Sequence, residues 1–122
     1  MALLADTLAR GGVTRSGKRI ISKAAIDLWR HNVLDEEQLK SYSWDTLEGY
    51  GYGLGVRTHL DPAKSGSLSP VGEFGWTGAA GGFIVIDPDN KVSMFYAHHM
   101  LNNQESFTTP RLRNLLYACL EY

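Results

Sequence analysis

The chain has 122 residues, a formal net charge of −1 and a hydrophobic fraction of 43%. These values are ordinary for one globular domain with a modest core, so we treat residues 1–122 as a single domain. A charge near zero with scattered basic residues argues against nucleic acids and membranes as partners, and no apolar stretch is long enough to span a bilayer.

The first third of the chain predicts helices. The pattern over residues 2–10 predicts a first helix, which ends at the glycine pair Gly11-Gly12. The residues expected on its inner side are Leu3, Leu4, Thr7 and Leu8. No capping residue precedes this helix, which is typical either of a chain cut from something longer or of a frayed terminus. Ser22 is expected to cap a second helix that runs to about His31, with Ile26 and Trp29 facing inward.

A short third helix and then a set of strands follow. Asp35 and Gln38 have the spacing of a capping box for that helix. Between residues 50 and 58, larger residues alternate with glycines and Arg57, which predicts one strand with a nearly bare face. The loop at 61–70 is rich in proline, glycine and serine.

The second half of the chain predicts more of the sheet and a covering helix. Residues 73–77 and 81–86 form one long bent strand or two strands joined at Gly78, and a turn at 87–90 leads into a strand over 91–99. Thr109 is expected to cap the last helix, with Pro110 in its first turn. The apolar stripe of this helix is expected to contain Leu112, Leu115, Leu116, Cys119 and Leu120.

These elements predict an α+β fold, with an antiparallel sheet of about three strands and flanking helices. The single cysteine, Cys119, excludes an internal disulfide and is expected to be a small buried hydrophobe. No signal peptide precedes the first helix, so we expect a soluble protein that is cytoplasmic by default.

A glycine-rich run, Phe74-Gly-Trp-Thr-Gly-Ala-Ala-Gly-Gly82, is the most informative part of the sequence. An apolar run, Phe83-Ile-Val-Ile86, follows it and ends at the turn Asp87-Pro-Asp-Asn90. Glycines this dense within a strand pattern remove the side-chain wall and let a ligand or another backbone approach closely. The pattern therefore indicates a ligand-facing strand joined to a buried sheet.

Trp76-Thr77-Gly78 resembles the third motif of the serine β-lactamase and penicillin-binding protein superfamily, which is Lys-Thr-Gly or His-Thr-Gly on an active-site strand. Two further passages resemble class C β-lactamase-like proteins and esterases. They are Arg10-Gly-Gly12 with Gly17-Lys-Arg-Ile-Ile-Ser22, and Tyr50-Gly-Tyr-Gly-Leu-Gly55. The resemblance covers nearly the whole chain but only the C-terminal third or so of a family member. It implies the C-terminal part of the β-lactamase-like α/β domain.

The two other motifs of that family are absent. Its nucleophile lies in Ser-x-x-Lys, whereas Ser16 is followed three residues later by Arg19 and Ser22 by Ala25. A Tyr-x-Asn or Tyr-x-Ser motif is also missing. We therefore expect no catalytic residue in this chain and no activity from the chain alone.

The resemblance implies substrate contacts from Trp76, Thr77 and Gly78, and from Asn102 in the loop after the last strand. Trp76 replaces a cation that would bind a substrate carboxylate, so the substrate is expected to be an ester or amide without that carboxylate. From the residues alone, Trp76 fits either a substrate-facing wall or a core anchor. Gly78 fits either substrate approach or a packing bend, and Asn102 fits either a substrate contact or a turn.

Other functions have little support in the sequence. His98 and His99 are adjacent on a strand and point to opposite faces, and His31 and His59 have no ligand-like spacing to them, so we expect no metal and no cofactor. The first hypothesis is the C-terminal portion of a serine β-lactamase-like hydrolase. Its expected partner is the complementary N-terminal portion or a second copy. The alternative is a non-catalytic binding or interaction module derived from that fold.

Overall fold

The structure is a computed structural model that describes residues 1–101 and 104–121. The helices are α1 (Ala2–Ala9), α2 (Lys23–Trp29), α3 (Glu36–Tyr42), α4 (Pro62–Ser65) and α5 (Glu105–Ala118), with a 3-10 turn at Asp45–Leu47. The strands are β1 (Tyr50–Tyr52), β2 (Arg57–His59), β3 (Phe74–Thr77), β4 (Gly81–Asp87) and β5 (Val92–His99). The α+β class is confirmed, but the sheet has five strands in the described part of the chain, and not about three.

The predicted helix starts are confirmed at α2 and α3. The hydroxyl of Ser22 accepts a hydrogen bond from the amide of Ala25 at 3.1 Å. Asp35 accepts from the amide of Gln38 at 2.8 Å, and the side chain of Gln38 accepts from the amide of Asp35 at 3.0 Å. These reciprocal bonds satisfy amides that a helix start otherwise leaves unpaired.

The sheet is antiparallel and has the order β1-β2-β3-β4-β5. The prediction of one strand over residues 50–58 was wrong, because β1 and β2 form a hairpin there. A tight turn reverses the chain where the amide of Gly53 donates to the carbonyl of Val56 at 2.8 Å. Gly55 in this turn has a φ of +80°, a left-handed conformation that glycine adopts without strain. Alternation alone did not reveal this reversal.

The glycine-rich run forms a second hairpin, so β3 and β4 are separate strands. In the turn between them the amide of Gly78 donates to the carbonyl of Gly82 at 2.8 Å, and the amide of Gly81 donates to the carbonyl of Gly78 at 2.9 Å. Gly75 lies earlier on β3, where a Cβ would stand 1.9 Å from the carbonyl oxygen of Ile84. The absence of a side chain at Gly75 therefore lets β3 and β4 pair closely.

Two apolar clusters lie on opposite faces of the sheet. One contains Ala5, Leu8 and Ala9 of α1 and Ile26 of α2, packed with Val56, Phe74 and Ile86. The other contains Phe83, Val85 and Tyr117, and the partly buried residues packed on it include Leu112, Leu116 and Leu120 of α5. The sheet thus lies between α1 and α2 on one side and α5 on the other.

The inner faces of the two terminal helices agree only in part with the prediction. Thr7 and Leu8 of α1 are buried as predicted, and Leu112, Leu116 and Leu120 pack on the core. Leu3 is 74% exposed, and the small residues Ala5 and Ala9 take the inner positions of α1. On α5, Leu115 is 60% exposed and Cys119 is also exposed, whereas Thr109, Arg113 and Tyr117 are buried. Helix α5 also begins at Glu105, before the predicted start at Thr109. A polar inner face escaped prediction because it packs on a buried ion pair of the sheet.

None of the described helices combines the length and apolar character needed to cross a membrane.

Candidate functional site

The sequence-predicted site lies where β3 extends beyond its pairing with β2. The pairing includes Phe74 and Gly75 but not Trp76 or Thr77, which pair on the other side with β4. A cavity of about 120 Å³ opens at this point. Its walls come from the 3-10 turn, from β2 and β3, and from the first turns of α5. The lining residues are Trp44, Asp45, Thr46, Leu47, Arg57, Trp76, Thr77, Glu105 and Thr109.

Trp76 forms one wall of this cavity. Its side chain is 42% exposed and belongs to neither apolar cluster. The ring meets Tyr52 edge-on, with 5.6 Å between the centroids, a geometry that favours aromatic pairing. Tyr52 in turn contacts Tyr42 at 5.8 Å. These contacts hold the indole in place and leave part of its surface open to a ligand.

Thr77 and Gly78 occupy the end of the strand and the start of the turn. No described residue forms a hydrogen bond with the hydroxyl of Thr77, which leaves that group available to a ligand. The amide and carbonyl of Gly78 both bind within the turn. A Cβ at Gly78 would meet only the carbonyl of Gly82, at 3.7 Å. The turn therefore has space at Gly78, in contrast to the tight approach at Gly75. Asn102, the fourth predicted site residue, lies outside the described residues.

A buried ion pair that was not predicted from the sequence borders the cavity through Arg57. Arg57 donates two hydrogen bonds to Glu73, at 2.9 and 2.8 Å, and both residues are buried. Arg113 of α5 places its Nε 3.9 Å from the same carboxylate and donates from a terminal nitrogen to the hydroxyl of Tyr50 at 2.8 Å. Both guanidinium groups lie over the ring of Tyr50, at 5.0 and 5.3 Å from its centroid.

This cluster sets the protonation of its members. Burial alone would raise the pKa of Glu73, but the charge and hydrogen bonds of Arg57 outweigh it and lower the pKa below its usual value. Burial also opposes the charge of Arg57, whose pKa is nevertheless raised by Glu73. The pKa of Arg113 is lowered by burial and then by repulsion from Arg57. Two guanidinium groups thus share one carboxylate, and the cluster favours a further negative charge nearby.

Two polar atoms beside the cavity lack partners among the described residues. They are Nε of Arg57, a donor, and Oε2 of Glu105, an acceptor. A buried donor or acceptor without a partner is costly, so ligand atoms that satisfy either one would be stabilised there. For the ion pair, the sequence offered only a weak signal, an arginine inside a strand pattern and Glu73 just before β3. Only the fold brings them together.

The histidines do not form a metal site in the described part of the chain. No group of three histidine, cysteine or carboxylate side chains there has the geometry to hold a metal ion. His98 packs edge-on against Tyr96 on β5, with 5.6 Å between the ring centroids. His59 is fully buried beside Tyr50 and the serine-rich loop.

Known proteins resemble the chain at the level of sequence and of fold. No family model matches the chain. Two curated relatives from Mycobacterium tuberculosis, the uncharacterized protein MT1414 of strain CDC 1551 / Oshkosh and the protein Rv1367c of strain ATCC 25618 / H37Rv, are each 34% identical to it over 92 residues. The match takes in 70% of this chain and 23% of each relative, so the chain spans under a quarter of their length.

A solved structure decides the fold. The chain resembles EstCE1, described as a hydrolase with promiscuous acyltransferase activity, with a TM-score of 0.70 and 20% sequence identity. The likeness covers 93% of this chain and 28% of that one. The chain has a β-lactamase-like fold. The fold that the glycine-rich run and its neighbouring motifs predict is therefore confirmed, and the substrate contacts of Trp76, Thr77 and Gly78 stay predictions.

Proposed function

We propose that this chain is the C-terminal portion of a serine β-lactamase-like hydrolase that carries out acyl transfer on an ester or amide. The observation that carries the proposal is the position of Trp76 and Thr77. Both residues lie where β3 extends beyond its pairing with β2, and both line a cavity. The sequence of this strand resembles the family's third motif. The likeness to EstCE1, a hydrolase, over 93% of the chain supports it.

In this proposal the reaction is serine attack on the substrate carbonyl, formation of an acyl-enzyme and its hydrolysis. The nucleophile and its base come from the remaining part of the fold, because the chain contains no Ser-x-x-Lys. The hydroxyl of Thr77 hydrogen-bonds the substrate, and the indole of Trp76 packs against its acyl or alcohol group. An indole has one neutral donor and no charge, so substrates without a carboxylate are favoured at that position.

The assembly would also complete the sheet. In the described part of the chain, β5 has a partner strand on one side only. We propose that this edge pairs with the complementary N-terminal portion of the same fold, or with a second copy of the chain. The relatives matched by this chain are several times longer, which supports a complementary portion on the same polypeptide.

Turnover of nitrocefin and p-nitrophenyl esters tests the proposal. The isolated chain is expected to show no catalytic turnover, and the full-length parent is expected to hydrolyse the ester. Thr77→Ala in the parent should lower kcat/KM, by about tenfold for one lost hydrogen bond of about 1.4 kcal/mol. Ser16→Ala, at an exposed serine far along the chain from β3, is the matched control. Sustained turnover by the rigorously purified chain alone would contradict the proposal that the nucleophile and its base come from another part of the fold.

The alternative is a non-catalytic binding module that retains the sheet of this fold and lacks its catalytic residues. The missing Ser-x-x-Lys favours it as much as it favours a fragment. The coding sequence upstream of Met1 separates the two. Continuation into Ser-x-x-Lys and Tyr-x-Asn or Tyr-x-Ser supports the hydrolase, and a natural start at Met1 supports the module.

A further inference from the structure

A serine and a histidine meet in a second place, away from the end of β3. His59 ends β2, and Ser65 ends the short helix α4 in the loop that follows. The hydroxyl oxygen of Ser65 lies 2.7 Å from Nε2 of His59. His59 is fully buried, whereas Ser65 is half-buried and reaches the surface. The pair was not predicted, because its members are six residues apart across a loop.

The contacts of the other ring nitrogen assign the direction of this hydrogen bond. Nδ1 of His59 lies 3.0 Å from the carbonyl oxygen of Pro70. A carbonyl oxygen can only accept, so Nδ1 carries the proton and Nε2 is the free acceptor. The hydroxyl of Ser65 therefore donates to Nε2. This is the arrangement in which an imidazole acts as a general base toward a serine.

The hydroxyl of Ser69 connects the imidazole of His59 to the carboxylate of Glu73. Ser69 places its Oγ 3.2 Å from Nδ1 of His59 and donates to Glu73 at 3.3 Å. Arg57 donates two hydrogen bonds to Glu73 and lowers the pKa of that carboxyl, which favours its ionised form. Ser65, His59, Ser69 and Glu73 are thus connected in series, with Ser69 held between Nδ1 of the imidazole and the carboxylate.

Ser65 also borders open space. It lines a cavity of about 210 Å³ that shares only Asp45 and Thr46 with the cavity at β3. Arg113 lines the same cavity, is buried, and its Nε has no hydrogen-bond partner among the described residues. A buried cation with a free donor would stabilise the negative oxygen that forms when a hydroxyl attacks a carbonyl.

We propose that Ser65 is a second nucleophilic serine, activated by His59, that accepts the acyl group of small uncharged esters. Ser65 Oγ forms a bond to the carbonyl carbon while its proton moves to Nε2 of His59. The tetrahedral adduct then collapses, the carbon–oxygen bond to the alcohol breaks, and the alcohol leaves with the proton from Nε2. The products are an acyl ester on Ser65, the free alcohol and neutral His59.

This step is independent of the function proposed above, because it uses neither Trp76 nor a nucleophile from another part of the fold. It predicts one acyl group per chain and makes no claim on turnover. A purely structural role is the competing account. The amide of Ser67 also donates to the hydroxyl of Ser65, at 3.1 Å, so the same contacts would hold the loop in place.

Acetylation by p-nitrophenyl acetate distinguishes the two accounts. The folded 122-residue chain is treated with the ester, and the acetylated positions and their rates are found by peptide mass spectrometry. General-base assistance predicts acetylation of Ser65 about 100-fold faster than that of Ser16, an exposed serine whose hydroxyl meets Thr14 and no histidine. Ser65→Ala should abolish the fast acetylation, and Ser16→Ala should leave it unchanged.

A thiol at the same place provides a second readout that keeps His59 intact. In a Cys119→Ser background, which removes the exposed native thiol, Ser65→Cys is compared with Ser16→Cys for alkylation by iodoacetamide at pH 7. A neighbouring base increases the thiolate fraction, so Ser65→Cys should react at least about tenfold faster. Equal acetylation of the two serines, or equal alkylation of the two thiols, overturns the proposal. Neither result bears on acyl transfer by the full-length parent.

Discussion

Gly75 and Gly78 stand three residues apart, but only Gly75 lacks space for a side chain. A Cβ at Gly75 would lie 1.9 Å from the backbone oxygen of Ile84, whereas one at Gly78 would meet only an oxygen at 3.7 Å. Gly75 is therefore required by the pairing of β3 with β4. Gly78 is free of that requirement, and a role in ligand approach would explain it.

Gly78→Val is expected to lower ester turnover by the proposed full-length hydrolase more than it lowers thermal stability. The branched side chain would project where a substrate backbone approaches, while the turn itself has space for it. Gly75→Ala is the matched control and should do the reverse, with a large loss of melting temperature because the backbone of β4 cannot give way. Equal losses of turnover and stability at Gly78 would mean that its role is structural only.

Trp76→Lys is expected to increase the affinity of the proposed full-length hydrolase for β-lactams that carry a carboxylate. A lysine would restore the cation that the family's third motif has at this position. A charge-assisted hydrogen bond contributes about 1.5–3 kcal/mol, and less where the site is open to water. Acylation by a penicillin, followed against concentration, measures the change. Trp44→Lys, at another residue that lines the cavity, is the control. An unchanged acylation rate would show that residue 76 does not face the carboxylate.

At the scale of elements, the buried ion pair connects β2, the start of β3 and α5. Arg57 comes from β2, Glu73 precedes β3, and Arg113 comes from α5. Removing one member of such a pair leaves an uncompensated buried charge, which is more damaging than removing both. The cluster therefore orients α5 on the sheet, and Arg57 and Arg113 each line one of the two cavities.

Glu73→Gln is expected to lower the free energy of unfolding at pH 7 by about 3–5 kcal/mol, because Arg57 keeps its charge without a partner. Urea denaturation measures this change. Glu37→Gln, at an exposed position of α3, should change the free energy by less than about 0.5 kcal/mol.

The same pair predicts sensitivity to acid. The folded-state pKa of Glu73 is lowered, so its contribution is present above the unfolded-state value of about 4.3 and is lost as the pH falls through the folded-state value. The wild-type free energy of unfolding should therefore decrease below about pH 4.3. The Glu73→Gln variant should lose less over that range. Parallel pH profiles of the two proteins would contradict the assignment of the acid-sensitive group to Glu73.

At the scale of the whole molecule, the described sheet ends in an open edge. Strand β5 has no described neighbour beyond β4, and Phe95 on it is 41% exposed. Open edges of this kind recruit other strands, and exposed apolar residues beside them mark interfaces. The isolated chain is thus expected not to remain a stable, independent monomer.

The isolated chain is expected to self-associate at micromolar concentration, or to bind the complementary portion of its fold. Sedimentation equilibrium measures the association state. Phe95→Lys should shift the chain toward the monomer, because a charge on an edge strand opposes pairing. Val71→Lys, at a loop residue of similar exposure outside the sheet, should not. A dilution-resistant monomer with a cooperative melt would contradict this expectation and favour the binding-module alternative.

The sequence by itself determined the elements whose signals are local. The capping residues Ser22 and Asp35 placed the starts of α2 and α3, and the turn at 87–90 placed the β4–β5 hairpin. The motif around Trp76-Thr77-Gly78 also indicated the β-lactamase-like fold. These signals were readable because capping and turn formation depend on residues within a few positions of each other.

The tertiary structure alone decided several contacts that no short sequence motif marks. It split the 50–58 segment into two strands, because the reversal depends on a glycine turn that alternation does not reveal. It turned Arg113, and not Leu115, toward the sheet, because Glu73 and Tyr50 lie there to pair with it. It brought Ser65 against His59 through a folded loop. The contacts of Arg113 depend on how distant segments pack together, and the other two depend on turns that the pattern of residue types does not mark.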